Sequence, residues 1–330
     1  MRAILIVNPN ATTTTPRTRE VIIRALSSAI DINVIDTTHR LHATDLARQA
    51  RRDNIDIVLT LGGDGTVNEV VNGLLAEGVA TGHNATGSTG KADSTGTAAT
   101  IPTLGTIPGG SANVFARSLG LSEDPVDATA ELIEAISHGH RRTIGLGLAE
   151  YNGLNRYFMC NAGLGIDAEI IEEMDRQRAK GVSATPARYV GTALNQFFVK
   201  TERHEPALTI ERPGVDPVTG VFLAIIQNSS PWTYLGPIAV DPCPRASFDA
   251  GLDLFAPRSL GVLHTVNYVQ RMLLRQRSKY PFGGVLTLHD QTSIRITASR
   301  PTSLQIDGEA AGSVRTLTVT SAPQALTVLV

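Results

Sequence analysis

The stretch Leu61-Gly62-Gly63-Asp64-Gly65-Thr66-Val67-Asn68-Glu69-Val70-Val71-Asn72-Gly73 decides the fold. An apolar run, Ile55 to Leu61, leads into it and stops at four residues that no buried strand tolerates in sequence. Beyond them Val67, Val70, Val71, Leu74 and Leu75 recur at the i, i+3, i+4 spacing of a helix with one buried face. Thr66 and Glu69 have the spacing of a capping box. A buried strand that turns through glycines into a helix is the repeating unit of a parallel sheet. The chemistry of the turn follows from the same residues. Three glycines let the backbone come close to an anion, and the unpaired N–H groups and positive dipole end of the helix face it. Asp64 does not favour a bare phosphate, so it points to Mg²⁺ or a hydroxyl. The competing reading is an ordinary glycine-rich turn with Asp64 as a cap.

Working outward, the pattern repeats on both sides. Ala3 to Val7 is a short buried strand ending in Asn8-Pro9-Asn10-Ala11-Thr12. Arg17 to Ser28 has helical spacing, and Ile32 to Ile35 is a second strand. Thr103 to Ile107 runs into Pro108-Gly109-Gly110, with Ser111 placed to cap a helix through Leu119 and Gly120 placed to stop it. Pro125 opens a further helix to about Ser137. The expected fold is α/β, with an N-terminal doubly wound parallel sheet whose loops at the carboxyl ends of the strands converge on one crevice. Gly78 to Thr100 is almost entirely Gly, Ala, Thr, Ser and small polar residues, and reads as a flexible surface insertion.

After residue 140 short β-rich runs dominate, among them Val221 to Gln227, Leu252 to Phe255, Leu304 to Asp307 and Leu326 to Val330. Helical stretches near 168–178, 188–200 and 260–277 interrupt them. The expectation is a β-sandwich-like second domain over 141–330, following a nucleotide-binding domain over 1–140, with a cleft between them.

Composition narrows the function. Lys plus Arg is 29 against 31 for Asp plus Glu, and this near-balance argues against nucleic acid as a partner. The cysteines, Cys160 and Cys243, form no CxxC pair, which argues against a disulfide scaffold and a cysteine zinc site. The apolar runs fall far short of the roughly 18 residues of a spanning helix. A cytoplasmic protein is expected, one that touches the inner membrane face at most.

The ordered strings GGDGTVNEVVNGL (62–74) and PGGSANVFARSLG (108–120) closely resemble the diacylglycerol kinase catalytic family, which includes bacterial lipid kinases and sphingosine kinases. Asn161 to Ala168 is similar to that family's Gly-Asp segment, and Leu304-Gln305-Ile306-Asp307-Gly308-Glu309 to its late acidic motif. The resemblance implies an ATP-dependent lipid kinase using Mg²⁺, with diacylglycerol the leading acceptor at a membrane surface and a homodimer as one assembly. It assigns the nucleotide to Asn8, Pro9, Asn10, Ala11 and Thr12, to Thr37, to Gly62, Gly63, Asp64, Gly65, Thr66, Val67 and Asn68, and to Ser111. It makes Glu309 the proton acceptor, with Asp307 as partner or competitor and Asp64 as the reserve candidate. A structural Mg²⁺ site maps to Ser247, Asp249 and Leu252. There the chain departs from the pattern, since Ala250 stands where an Asp is expected. It departs also at Ala11-Thr12 and at Gly110-Ser111-Ala112-Asn113-Val114, where an acid is lost. The rival readings are an NAD kinase, which shares a GGDGT loop, and a nucleotide- or lipid-binding regulator without turnover. Gln270 to Lys279 mixes basic residues with an apolar stripe, readable as a helix packed on the second domain or as a contact with anionic lipid.

Overall fold

The computed structural model describes residues 1–75, 100–179, 205–275 and 284–330. The insertion read over 78–100, except Thr100, and the helix expected over 188–200 lie outside the described residues. Two compact units divide the chain. The first comprises Met1–Ile144, Gly153–Tyr157 and Gln324–Val330; the second comprises Gly145–Asn152 and Phe158–Pro323, so that strands β5 (Arg141–Tyr151) and β6 (Leu154–Phe158) each contribute residues to both.

In the first unit, β1 (Arg2–Val7), β2 (Asp31–Asp36), β3 (Ile57–Gly62) and β4 (Thr103–Pro108) form a parallel sheet in the order β2-β1-β3-β4. The end of the last strand, β16 (Glu309–Leu329), adds to β4 in parallel at Val328 and Leu104. Helices α1 (Pro16–Ala29), α2 (His42–Arg52), α3 (Asp64–Leu74), α4 (Val114–Ser118) and α5 (Pro125–His138) connect the strands. Strands β3 and β4 are buried along their whole length, and apart from Thr60, Thr103 and Thr106 they carry only apolar residues and glycine, as strands covered on both faces do. Ala3, Leu5, Val7, Leu59 and Leu61 pack with Ile22 and Leu26 of α1 and Leu132 and Ala135 of α5 in one core.

Two helix starts differ from the sequence reading. The capping box of Thr66 and Glu69 does not form: the N-cap of α3 lies three residues earlier, at Gly63, with no side-chain cap. Thr66 instead accepts a hydrogen bond from the Asn8 amide at 3.1 Å, and Glu69 accepts the Leu41 N–H at 2.9 Å. That second bond closes the start of α2, an element for which the sequence shows no apolar periodicity.

The second unit is antiparallel and strand-rich. Its strands β7 (Asn161–Leu164), β10 (Ala224–Gln227), β13 (Leu252–Pro257), β14 (Val285–Gln291) and β15 (Ser293–Ile306) run in the order β14-β13-β10-β7-β15, followed by β16. Beside β15 lie β8 (Leu208–Arg212) and then β9 (Val215–Val221). A separate hairpin pairs β11 (Thr233–Leu235) with β12 (Ile238–Val240). Helices α6 (Ile166–Ala179) and α7 (Val262–Leu273) complete it. Among the described residues no helix is long and apolar enough to cross a membrane.

Candidate active site

The rim at the carboxyl ends of β1, β3 and β4 is built by three loops bonded to one another. Asn8 donates its backbone N–H to Leu61 O at 2.9 Å, and Gly109 donates to Gly62 O at 2.8 Å. Thr13 donates to Gly109 O at 3.2 Å, tying the first loop to the third. Thr37, at the end of β2, joins the rim through its N–H to Val7 O at 2.8 Å. Within the first loop the Asn8 side chain accepts the Asn10 N–H at 2.9 Å, a local turn that leaves Pro9, Asn10 and Thr12 exposed. Ala11 is half-buried against Gly109.

The glycines serve this loop packing first. A side chain on Gly62 would meet the Thr66 side chain at 2.7 Å, and one on Gly109 would meet the Gly62 backbone at 3.1 Å. What remains for a ligand is the start of α3. Its N-cap is a glycine without side-chain cap, so the first-turn N–H groups take partners from outside the helix.

Asp64 is committed elsewhere. Its carboxylate accepts the backbone N–H groups of Val114 at 3.0 Å and Phe115 at 2.9 Å, capping α4 from a neighbouring loop. The sequence reading gave that cap to Ser111; in the structure Ser111 is exposed on the rim, ahead of the helix. Asn113 closes the glycine turn by accepting the Gly110 N–H at 2.8 Å and donating to Gly110 O at 2.7 Å, in a left-handed conformation with φ of 47°. Asparagine is one of the few side chains that adopts it readily.

Asn68 is likewise turned away from the rim. It is buried, accepts the Arg156 guanidinium at 2.8 and 2.6 Å, and donates to Tyr157 O at 2.9 Å. Asn72, one turn on, also donates to Tyr157 O and accepts the Tyr157 N–H at 2.8 Å. The two asparagines form a clamp on residues 156–157 of the same unit. Asn72, Asn113 and Arg156 escape the sequence reading; only the i, i+4 spacing of Asn68 and Asn72 signals a shared polar face. Val67 is buried within α3, so of the run 62–68 only Gly63, Asp64 and Gly65 are half-exposed.

The late acidic motif belongs to the second unit. Asp307 and Glu309 do not lie along one continuous strand. Ile306 and Glu309 pair directly, and Asp307 and Gly308, with φ of 47° and 77°, are the two central residues of a tight hairpin turn. The Asp307 carboxylate is buried and accepts three backbone N–H groups, from Met159 at 2.8 Å, Cys160 at 2.8 Å and Asn161 at 3.0 Å. It is a structural anchor between the β15–β16 turn and the start of β7. Glu309 is half-buried at the head of β16.

The segment expected to hold a structural metal has other contacts. Ser247 Oγ accepts the Asp249 N–H at 3.3 Å, and Asp249 is exposed. Leu252 pairs with Gln291 in the sheet. The neighbouring Asp253 is buried and accepts His289 Nδ1 at 2.7 Å and the Asp290 N–H at 3.0 Å. Burial pushes the Asp253 carboxyl above its ordinary range, against the hydrogen bonds from Asp290 and His289. Among the described residues no three His, Cys, Asp or Glu side chains gather as a metal site.

Residues 2–149 match the model of the diacylglycerol kinase catalytic domain. An uncharacterized protein of Synechocystis sp. is 24% identical over 310 residues, covering 90% of this chain and 63% of its own length. A diacylglycerol kinase of Bacillus subtilis is 34% identical over 129 residues, 39% of this chain and 33% of that enzyme. The matched part of the chain thus spans less than two thirds of either relative. A crystal structure of a diacylglycerol kinase from Bacillus anthracis superposes with a TM-score of 0.68 at 20% identity, covering 99% of this chain and 96% of the other. The rim loops at Asn8, Gly62 and Gly109 all fall inside the segment that is similar to the diacylglycerol kinase catalytic domain.

Proposed function

We propose that this protein is an ATP-dependent lipid kinase that converts diacylglycerol to phosphatidic acid. The observation that supports it most is the uncapped start of α3 on Gly63, set among loops that end β1 and β4. Phosphoryl transfer asks little covalent chemistry of a protein and much positioning of charge. Backbone N–H groups at Gly63, Asp64 and Gly65 receive the nucleotide phosphates, and Asn10, Thr12, Thr37 and Ser111 border the nucleotide. Mg²⁺, when bound with the nucleotide, neutralises charge on the phosphate oxygens.

In the reaction the lipid hydroxyl oxygen forms a bond to the γ-phosphorus as the bond from that phosphorus to the β-bridging oxygen breaks. ADP leaves with the electron pair, and the hydroxyl proton passes to the Glu309 carboxylate. Glu309 takes this role over Asp307, whose oxygens already hold three N–H groups. The test is transfer of γ-labelled phosphate from ATP to a panel of diacylglycerol, sphingoid alcohols and NAD. Labelled phosphatidic acid is expected. Labelled NADP, or nucleotide binding with no labelled lipid, would sink this reading.

A further inference from the structure

Among the described residues twelve large apolar side chains are exposed, and six of them fall between residues 262 and 274. They are Val262, Leu263, Val266, Val269, Leu273 and Leu274, with Leu263 85% and Val266 60% exposed. At 3.6 residues per turn these positions share the outer side of α7. The other outward residues, Asn267 and Gln270, carry no charge. The inner side of α7 is already satisfied. Tyr268 and Met272 pack in a core with Ile225, Val240, Cys243 and Phe255. The Tyr268 hydroxyl donates to Gly284 O at 2.9 Å, and Met272 O accepts the Asp241 N–H at 3.1 Å. The helix is therefore held by one face and leaves the other apolar, beyond what its folding requires. An apolar patch of this kind on a soluble domain marks a contact surface.

Charge identifies the partner. From Leu254 to Arg275 the sequence has Arg258, Arg271 and Arg275 and no Asp or Glu, in a chain whose formal charge is −2, and of the three Arg271 is buried. Arg258 and Arg275 are exposed, Arg275 also lying 3.4 Å from the buried Asp241 carboxylate. A second copy of this chain docked symmetrically on the same face would set this acid-free segment against itself. An anionic lipid surface meets both the apolar stripe and the exposed Arg258 and Arg275. We propose that the outer face of α7 docks the protein on an anionic bilayer. The choice of a bilayer rests on the lipid-kinase reading, since a diacylglycerol acceptor resides in one.

The test is co-sedimentation of the full chain, without nucleotide, with vesicles of phosphatidylcholine alone or of phosphatidylcholine containing phosphatidylglycerol. The wild-type chain is expected to partition into the anionic vesicles, less so as salt rises. Leu263→Ser with Val266→Ser should lower that partitioning about tenfold or more. The melting temperature and turnover of a soluble short-chain diacylglycerol should stay unchanged. Equal partitioning of variant and wild type would overturn the proposal, as would equal binding to neutral vesicles. A dimer that the double substitution dissolves would overturn it too, by assigning the face to a second copy. Because the vesicle assay contains no ATP, its failure leaves the kinase reading standing. Vesicle binding without phosphorylation of the short-chain lipid would remove that reading and keep the docking face.

Discussion

Gly63 and Gly110 stand backbone against backbone: a Cβ on Gly110 would lie 2.7 Å from the Gly63 Cα. No flexible side-chain end is available to move aside, so both loops must shift to admit a methyl group. Gly110→Ala should therefore destabilise the first unit by about 1–3 kcal/mol, the range of an overpacked site. It should also raise the KM for nucleotide, because the same shift displaces the start of α3. Calorimetry and initial rates check the two effects together. A variant with wild-type stability and wild-type KM would show that the loops have slack that these distances deny.

Asp64 bonds to the N–H groups of Val114 and Phe115, and α4 is only five residues long. So short a helix depends on its cap. Removing the carboxylate with Asp64→Ala should cost about 0.5–2 kcal/mol, as capping residues do, and should lower turnover in the same variant. Asp64→Asn keeps one acceptor and should recover part of the stability. Loss of turnover in Asp64→Ala at an unchanged melting temperature would instead give Asp64 a purely chemical role.

The extent to which the sequence announces this fold tracks the size of the buried side chains. The strands around Leu5, Leu59 and Ile107, and helices with Ile22, Leu26 and Leu132, show as apolar periodicity because those residues are large. Helix α2 does not, since its buried face is Ala43, Thr44, Ala47 and Ala50. It lies so close to α3 that a Cβ on Gly73 would be 2.4 Å from Thr44 O. Small residues pack tightly there and leave no hydrophobic signal. At the site the glycine turns are legible, because glycine is needed wherever backbones approach this closely. The partners of Asp64 and Asp307 are not, since backbone N–H groups 50 and 148 residues distant carry no mark in a side-chain pattern.

Asp307 and Glu309 are separated by one residue, and their surroundings separate them in role. Asp307→Asn replaces one oxygen by a donor facing backbone N–H groups, and should destabilise the second unit by about 1–3 kcal/mol. Glu309→Gln should leave the melting temperature near wild type and lower kcat by about 10² to 10⁴, the usual contribution of a general base. Measuring both quantities on both variants distinguishes anchor from proton acceptor. If Asp307→Asn keeps its stability and loses more kcat than Glu309→Gln, the assignments must be exchanged.

Asp241 offers a pH test that does not depend on catalysis. Its carboxylate is fully buried, with hydrogen bonds from Ser230 and Gln227, and Arg275 at 3.4 Å. Burial raises its pKa above the ordinary 3.8, and the Ser230 and Gln227 bonds, the Arg275 charge and the Cys243 N–H pull it back only in part. The native state therefore keeps this proton to a higher pH than the unfolded chain does. Its contribution to stability is greatest below pH 3.8, falls as pH rises through the raised native value, and is flat above it. Asp241→Asn cannot titrate, while the remaining carboxylates titrate alike in both proteins. The melting temperature of Asp241→Asn minus that of wild type should thus climb as pH rises from about 3 to about 7, whatever its sign at the acidic end. A difference that stays level across this range, or falls, would mean that Arg275 and the hydrogen-bond donors outweigh the burial of the charge.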